Sequence, residues 1–380
     1  LLWTEVRKGS GSCHDNGWKM SSNIKDVARR AGVSISTVSN VLNKTKFVSP
    51  DLVKKVEEAV EELNYEVNPI ARSMKSNKSG IIGIITEDLC GIFYPYVIKG
   101  AASVLEKAGY QMIVCDAAGE YGDIKALDRE KEIFKNLLSN RVDGIIFVTL
   151  VPTEKRKNYC ARLLRMSQED KRIPLVSVER NMSTFGIDSV YFDSYENARR
   201  AVTHLIDCGC RKIGHIAGPM NIEIAAERTE SYKDILRDYG MAEGLEEQIV
   251  YGNYSHQSGY KGMKQLLDNV PDIDGVFCAN DQMAVGALKL LKEYRKKVPE
   301  EIKVIGYDDV FVSSVMEPAI STIHIRKFHA GVKAAELLLG RIEGHTPWEK
   351  EAVGIKMESR LVVRKSTVAD APEDWILSDW

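Results

Sequence analysis

The chain has no long apolar run, no excess of charge of one sign and no ordered cysteine pattern. No window approaches the ~20 consecutive apolar residues of a membrane span. Residues 1–19, LLWTEVRKGSGSCHDNGWK, lack the apolar core of a signal peptide. The first methionine is Met20 and a well-patterned segment follows at once, so 1–19 reads as a non-native or disordered extension. A net charge of −2 over 380 residues gives no global basic field, so any nucleic-acid signal must be local. Seven scattered cysteines build no disulfide framework, and a reduced, cytoplasmic setting fits them best. The CGC at 208–210, with His204 and His215 nearby, lacks the C-x2-C spacing of a zinc site. LIDCGCRKIGHI reads instead as a helix end, a turn and a strand. A Ser-His-Asp arrangement, a P-loop and a strand-borne G-x-G-x-x-G are all missing. Neither an enzyme, a metal nor a cofactor is expected.

What is present is a composition of 44% apolar and 28% charged residues, ordinary for a soluble globular chain. The length suggests two to three domains at roughly 150 residues each. After Met20 the sequence SNIKDVARRAGVSISTVSNVLN carries two short helical patterns with a tight break. Asn23 and Asp26 can cap the first, and Gly32 can end it in the left-handed region. Ser34 caps the second, whose Val38, Val41 and Leu42 point inward. Ile35, Ser36, Thr37, Ser39 and Asn40 are then left outside. A third helix opens at SPDL, with Ser49 as cap and Pro50 in the first turn. Two helices joined at a glycine and braced by a third make a helix-turn-helix unit. Its small hydroxyl and amide side chains can meet base edges or phosphates. From Met20 to Ser79 ten basic residues face seven acidic ones. The same pattern also allows a plain three-helix bundle used for protein contacts.

From Ile81 the pattern alternates between strand and helix. IIGIIT, YQMIVCD, VDGIIFV and IPLVSVE are apolar runs of the kind found in parallel strands covered on both faces. KIGHIAG, QIVYGN, GVFCAND and KVIGYDD form a second series. The region is too long for one sheet domain, so two doubly wound lobes are expected. Ligands of open α/β sheets bind at strand C-terminal ends. There the sequence places Glu87, Phe93, Tyr94, Glu179 and Arg180, then Arg228, Tyr254, Asn280, Asp281 and Asp308. Carboxylates, an amide, guanidinium groups and aromatic faces suit a polyhydroxylated ligand, and a flat base would use much the same set. Asp308 and Asn280 could equally be helix caps, and the aromatics core.

IKDVARRAGVSISTVSNVLN, FVSPDLVKKVEEAVEELNY and NPIARSM together resemble the DNA-binding head of the LacI/GalR family of transcriptional regulators. The resemblance runs to about Val368 through VDGIIF, RKIGHIAGP, ANDQMAVGALKLL, VPEEIKVIGYDD and STIHI. It implies a helix-turn-helix head at 20–67 and a hinge helix at 68–79. An effector-binding and dimerisation core, like periplasmic binding proteins, would occupy 80–368, with a tail to 380. Within the core it implies an N-subdomain at about 80–180 plus 325–352, and a C-subdomain at about 181–322 plus 354–368. Ile35, Ser36 and Asn40 would read operator bases, while Ser34, Thr37, Ser39 and Asn43 pack against or bond to the phosphate backbone. In the hinge, Asn68 caps, Ala71 leaves room for the partner hinge, and Arg72 and Lys75 meet phosphates or the minor groove. Met74 falls where relatives carry a leucine that wedges between base pairs. The implied effector contacts are Glu87, Phe93, Tyr94, Arg180, Arg228, Tyr254, Asn280 and Asp308.

GIFY stands where many members have N-P-F-F, which alters the pocket mouth. STVADAPEDWILSDW has no leucine heptads, so a homodimer is expected rather than a tetramer. The resemblance implies a repressor of metabolic genes on a pseudo-palindromic operator, switched by a small molecule, most plausibly a sugar. Two other readings remain open. One is a catabolite-control regulator whose main co-regulator is a protein. The other is a transporter's solute-binding protein, which would need an export signal and has no use for a helix-turn-helix.

Overall fold

A computed structural model describes residues 22–43, 46–65, 78–89, 91–117, 124–149, 151–168, 172–348 and 350–372. The chain divides into two compact units, Leu1–Ser79 and Gly80–Trp380. Asn68, Ala71, Arg72, Met74 and Lys75, the hinge residues, lie outside the described residues, as do 1–19.

The first unit is helical: α1 (Ile24–Ala31), α2 (Ile35–Asn43) and α3 (Pro50–Glu62). Asn23 accepts from the amides of Lys25 and Asp26, and Asp26 accepts from the Asn23 amide in return, a closed capping box. Gly32 ends α1 at φ 65°, a conformation that disfavours any side chain. Two residues later the Ser34 hydroxyl accepts from the Thr37 amide at 3.0 Å and starts α2. Ser49 occupies the cap position of α3 but makes no side-chain bond there; Pro50 in the first turn sets that start instead. Val27, Val38 and Val56, fully buried, meet with Ala28 and Ala59 as one small core.

The second unit holds β1 (Ile81–Thr86), α4 (Tyr94–Leu105), β2 (Gln111–Asp116), α5 (Ile124–Ser139), β3 (Gly144–Phe147), α6 (Arg156–Gln168) and β4 (Leu175–Glu179). These are followed by β5 (Asp188–Phe192), α7 (Ser194–Asp207), β6 (Ile213–Ala217), α8 (Glu223–Asp238), β7 (Ile249–Tyr251), α9 (His256–Asn269), β8 (Gly275–Cys278) and α10 (Asp281–Glu293). β9 (Lys303–Ile305), α11 (Phe311–Val315), β10 (Thr322–Ile325), α12 (Lys327–Ile342), β11 (Gly354–Met357) and β12 (Ser359–Val362) complete it.

One parallel sheet runs β11–β5–β4–β3–β1–β2, and a second runs β7–β6–β8–β9. β10 and β12 pair antiparallel, Thr322 opposite Val362, in a separate ribbon. The expected two lobes are present, but their boundaries shift. β5 and β11, assigned by sequence to the C-subdomain, pair in the first sheet, Val176 with Asp188 and Gly354 with Ser189. Residues 180–187, with a 3-10 turn at Ser183–Phe185 closed by Gly186 at φ 86°, carry the chain back so that β5 runs parallel beside β4. β1 is buried from Ile82 to Thr86, whereas β2, at the sheet edge, is only partly covered. Each sheet reverses its strand order once, between β1 and β3 and between β6 and β8. Strand ends there open on a crevice. α4 and α12 pack at backbone contact, because a methyl on Gly100 or Gly331 would run into the carbonyl of Phe328 or Val97. That fixes the start of α4, where Tyr94 sits.

Candidate functional site

In the head, α2 turns Ser36 outward and leaves Ile35 45% exposed, with Thr37 and Asn40 partly exposed. Ser34 also faces out, its hydroxyl 2.7 Å from that of Ser36 and 2.8 Å from that of Thr37. Ser39 departs from the expectation that it lies outside: it is buried. At about 100° per residue it flanks Val38 on the border of the apolar stripe, so the outward face is narrower than the sequence suggests. Asn43 closes α2.

In the core, strand ends of both sheets converge on a cleft of about 380 Å³. Glu87 follows β1, and Phe93 and Tyr94 open α4 beyond it; their rings meet edge to face at 5.2 Å. From the other side come Arg228 on α8, Tyr254 after β7, Asn280 after β8 and Asp308 after β9. Seven of the eight residues expected to contact an effector are therefore brought together. Arg180 is the exception. Its guanidinium donates to the Val151 carbonyl at 2.9 Å, and its place in the lining is taken by Glu179. Glu179 ends β4 with a left-handed backbone, φ 78°, and it is this acid, not the base that follows, that lines the cleft.

Arg228 is held rigidly. Nη1 donates to the Ala279 carbonyl at 2.7 Å, and its guanidinium carbon lies 3.6 Å from the centre of the Tyr307 ring. Tyr307 is itself fixed by the Asn197 amide at 3.0 Å. Asn280 does cap a helix: it accepts from the Met283 amide at 2.9 Å while donating to the Tyr254 carbonyl at 3.0 Å. One side chain thus ties α10 to the turn after β7 and still lines the cleft. Glu179, Tyr254 and Asp308 are non-glycine residues at φ 78°, 66° and 104°, and all three face the cleft. Strained backbone of this kind persists only where its surroundings enforce it, and it clusters at functional sites.

Of the enforcing groups, the sequence singles out Asp281 but not Lys327, Asp309 or Gly218. Lys327, buried at the start of α12, donates to the carbonyls of Asp308 at 2.6 Å and Asp309 at 2.9 Å, both left-handed residues. Asp309 accepts from His324 at 2.8 Å and pairs with the buried Arg364 at 2.8 Å. Asp281 accepts from Thr322 at 2.7 Å and from the Val310 amide at 2.9 Å. Gly218 leaves the space in which the Tyr254 ring lies. The only available signal was a strand-end glycine and charges inside otherwise apolar runs. Burial pushes the Asp308 carboxyl up to about 7, with Arg228 and Lys327 pulling the other way and Glu179 adding to the rise.

The CGC segment is the end of α7, a turn at Gly209 and the approach to β6. His215 is core, stacked on Phe277 at 4.7 Å, and burial pulls its pKa down to about 4. Among the described residues no cluster of three metal-ligating side chains occurs, and no helix is long and apolar enough to cross a membrane.

Comparison with known proteins agrees with both halves. Residues 23–68 match the model for bacterial regulatory proteins of the lacI family, and 202–367 match a periplasmic binding protein-like domain. The HTH-type transcriptional repressor PurR of Vibrio atlanticus is 33% identical over 91% of this chain and 98% of its own length. The ribose operon repressor of Halalkalibacterium halodurans is 29% identical over 90% and 96%. The lac repressor dimer bound to operator and the anti-inducer ONPF is similar in structure, with a TM-score of 0.79 and 27% identity over 92% of this chain and 99% of that one. The CelR–cellobiose complex gives a TM-score of 0.64 and 29% identity over 91% and 99%. The chain is a member of the lacI family of bacterial regulatory proteins, with a helix-turn-helix head and a periplasmic-binding-protein-like core.

Proposed function

We propose that this protein is a transcriptional repressor that binds a pseudo-palindromic operator as a homodimer in the cytoplasm and is switched by a small polyhydroxylated effector in the core cleft. The observation that carries the effector half is the convergence of Glu87, Phe93, Tyr94, Arg228, Tyr254, Asn280 and Asp308 on one cleft from two sheets. Its volume suits a ligand of sugar size. A ribose operon repressor, a lac repressor solved with an anti-inducer and a regulator solved with cellobiose support control by small metabolites.

For the DNA half, α2 offers Ser36, Asn40 and the partly apolar Ile35 to a major groove, with Ser34 and Thr37 at its start for phosphates. Two copies related by a two-fold axis read two half-sites. The hinge residues Asn68, Ala71, Arg72, Met74 and Lys75 belong to the proposal, with Met74 as the apolar wedge at the operator centre. Effector and operator favour different settings of the two lobes, and each changes the other's affinity by the same factor.

Selection of bound fragments from random DNA tests this: a two-fold symmetric motif is expected, and its absence would refute the operator. Met74→Ala should weaken binding to that motif far more than binding to unrelated DNA.

A further inference from the structure

The cleft assigned above to the effector is strongly acidic. Glu87, Asp88, Asp116, Glu179 and Asp308 line it, against a single guanidinium among the described residues, Arg228. The buried cations nearby are committed elsewhere, Lys327 to main-chain carbonyls, Arg180 to the Val151 carbonyl and Arg364 to Asp309. The Tyr94 hydroxyl has one proton but stands 3.2 Å from Glu87 and 3.1 Å from Glu179, so it serves only one of them at a time. Glu179, on the opposite lobe, adds to the cost of ionising Asp308.

Arg228 makes the complementary demand. It is 4% exposed, Nη1 is taken by the Ala279 carbonyl, and Nε has no hydrogen-bond partner among the described residues. A guanidinium in this state needs an oxygen acceptor. A phosphate or carboxylate would supply one but would bring further negative charge among the acids, which a desolvated cleft penalises strongly. A hydroxyl or ring oxygen supplies it without that penalty. Carboxylates accept from donors, and a cationic donor makes the stronger, charge-assisted bonds.

We propose that the effector is an aminated polyol of monosaccharide size, a hexosamine or an aminocyclitol. Its ammonium sits among Glu87, Glu179 and Asp308, and its oxygens accept from Arg228. The rings of Phe93 and Tyr254 cover its C–H faces. This rests on the reading that the cleft holds a small effector, and it adds the charge that the effector carries.

The test is isothermal titration of the full chain at pH 7 with matched compounds. D-glucosamine, D-galactosamine and 2-deoxystreptamine are compared with D-glucose, D-galactose, N-acetyl-D-glucosamine, D-glucosamine 6-phosphate, myo-inositol and hypoxanthine. At least one amine should bind tenfold or more tightly than its hydroxyl or acetylated counterpart. Glu179→Gln and, separately, Asp308→Asn should each remove most of that preference. The unliganded melting temperature reports whether each variant is folded, and either one alone suffices. Equal binding of the neutral counterpart, tightest binding of the phosphate ester, or a preference that survives both variants would overturn the proposal. If a neutral sugar or hypoxanthine binds and shifts operator affinity while no amine does, the charge inference fails and the effector reading stands. If none of the compounds binds or shifts operator affinity, both fail.

Discussion

The two walls of the cleft are built differently. On the second-lobe wall two ligand-facing side chains are tied to main chain, Arg228 to Ala279 and Asn280 to Tyr254 and Met283, and Lys327 holds the backbone carbonyl of Asp308. The first-lobe wall is held by side chains bonding to one another, Tyr94 to Glu87 and Glu179. A wall fixed by main-chain carbonyls has one arrangement. A wall in which one proton is shared between two acids has two nearly equal arrangements and can be rearranged by a ligand. The comparison implies that the second lobe sets where a ligand sits and the first lobe responds to it.

Lys327→Met should break this contrast most severely. It leaves the buried carbonyls of Asp308 and Asp309 without their ammonium donor, with a loss of about 3 kcal/mol in chemical denaturation and loss of cleft binding.

Asp308→Asn sharpens the contrast through pH. The folded-state pKa of about 7 lies above the ordinary value of 3.8, so the stability linked to that proton is full below about pH 4 and is lost as pH rises through 7. The variant should therefore gain on the wild type between pH 4 and 8, by on the order of 2–4 kcal/mol. Glu227, also raised to about 7 by burial and by Glu223, is present in both proteins and cancels in the difference. Melting temperatures across that range check the sign.

Gly218→Ala puts a methyl against the Tyr254 ring, and should reduce stability by about 1–3 kcal/mol with a larger proportional loss of ligand affinity. Glu179→Gln, on the adjustable wall, should change stability by under about 0.5 kcal/mol while changing which ligands bind. A large destabilisation there would mean that the first wall is as rigid as the second.

The same division decides what the sequence makes legible. The head is local: caps at Asn23 and Ser34, a left-handed Gly32 and a helical period specify it within forty residues of chain, and only Ser39 is turned the wrong way. Strand-end position was enough to find Tyr254, Asn280 and Asp308, whereas Arg228 lies within α8 and is marked out by the family resemblance. Position alone could not separate Glu179 from Arg180, because the left-handed backbone at the end of β4, which the sequence does not announce, accompanies the choice of which one faces the cleft. Nor could it show that β5 and β11 join the first sheet, since strand order is decided by pairing between distant segments. Lys327 and the role of Gly218 were illegible for the same reason: their partners lie far away in the chain, and although Gly218 falls within RKIGHIAGP, nothing in that stretch points to Tyr254.

The central claim is that occupancy of this cleft is linked to operator binding. The most direct test is the Kd of the full chain for its selected operator, with and without saturating cleft ligand, in the wild type and in Arg228→Ala. The account predicts a shift of about fivefold or more in the wild type and none in the variant. An equal shift in both proteins, or no shift in the wild type, would contradict it.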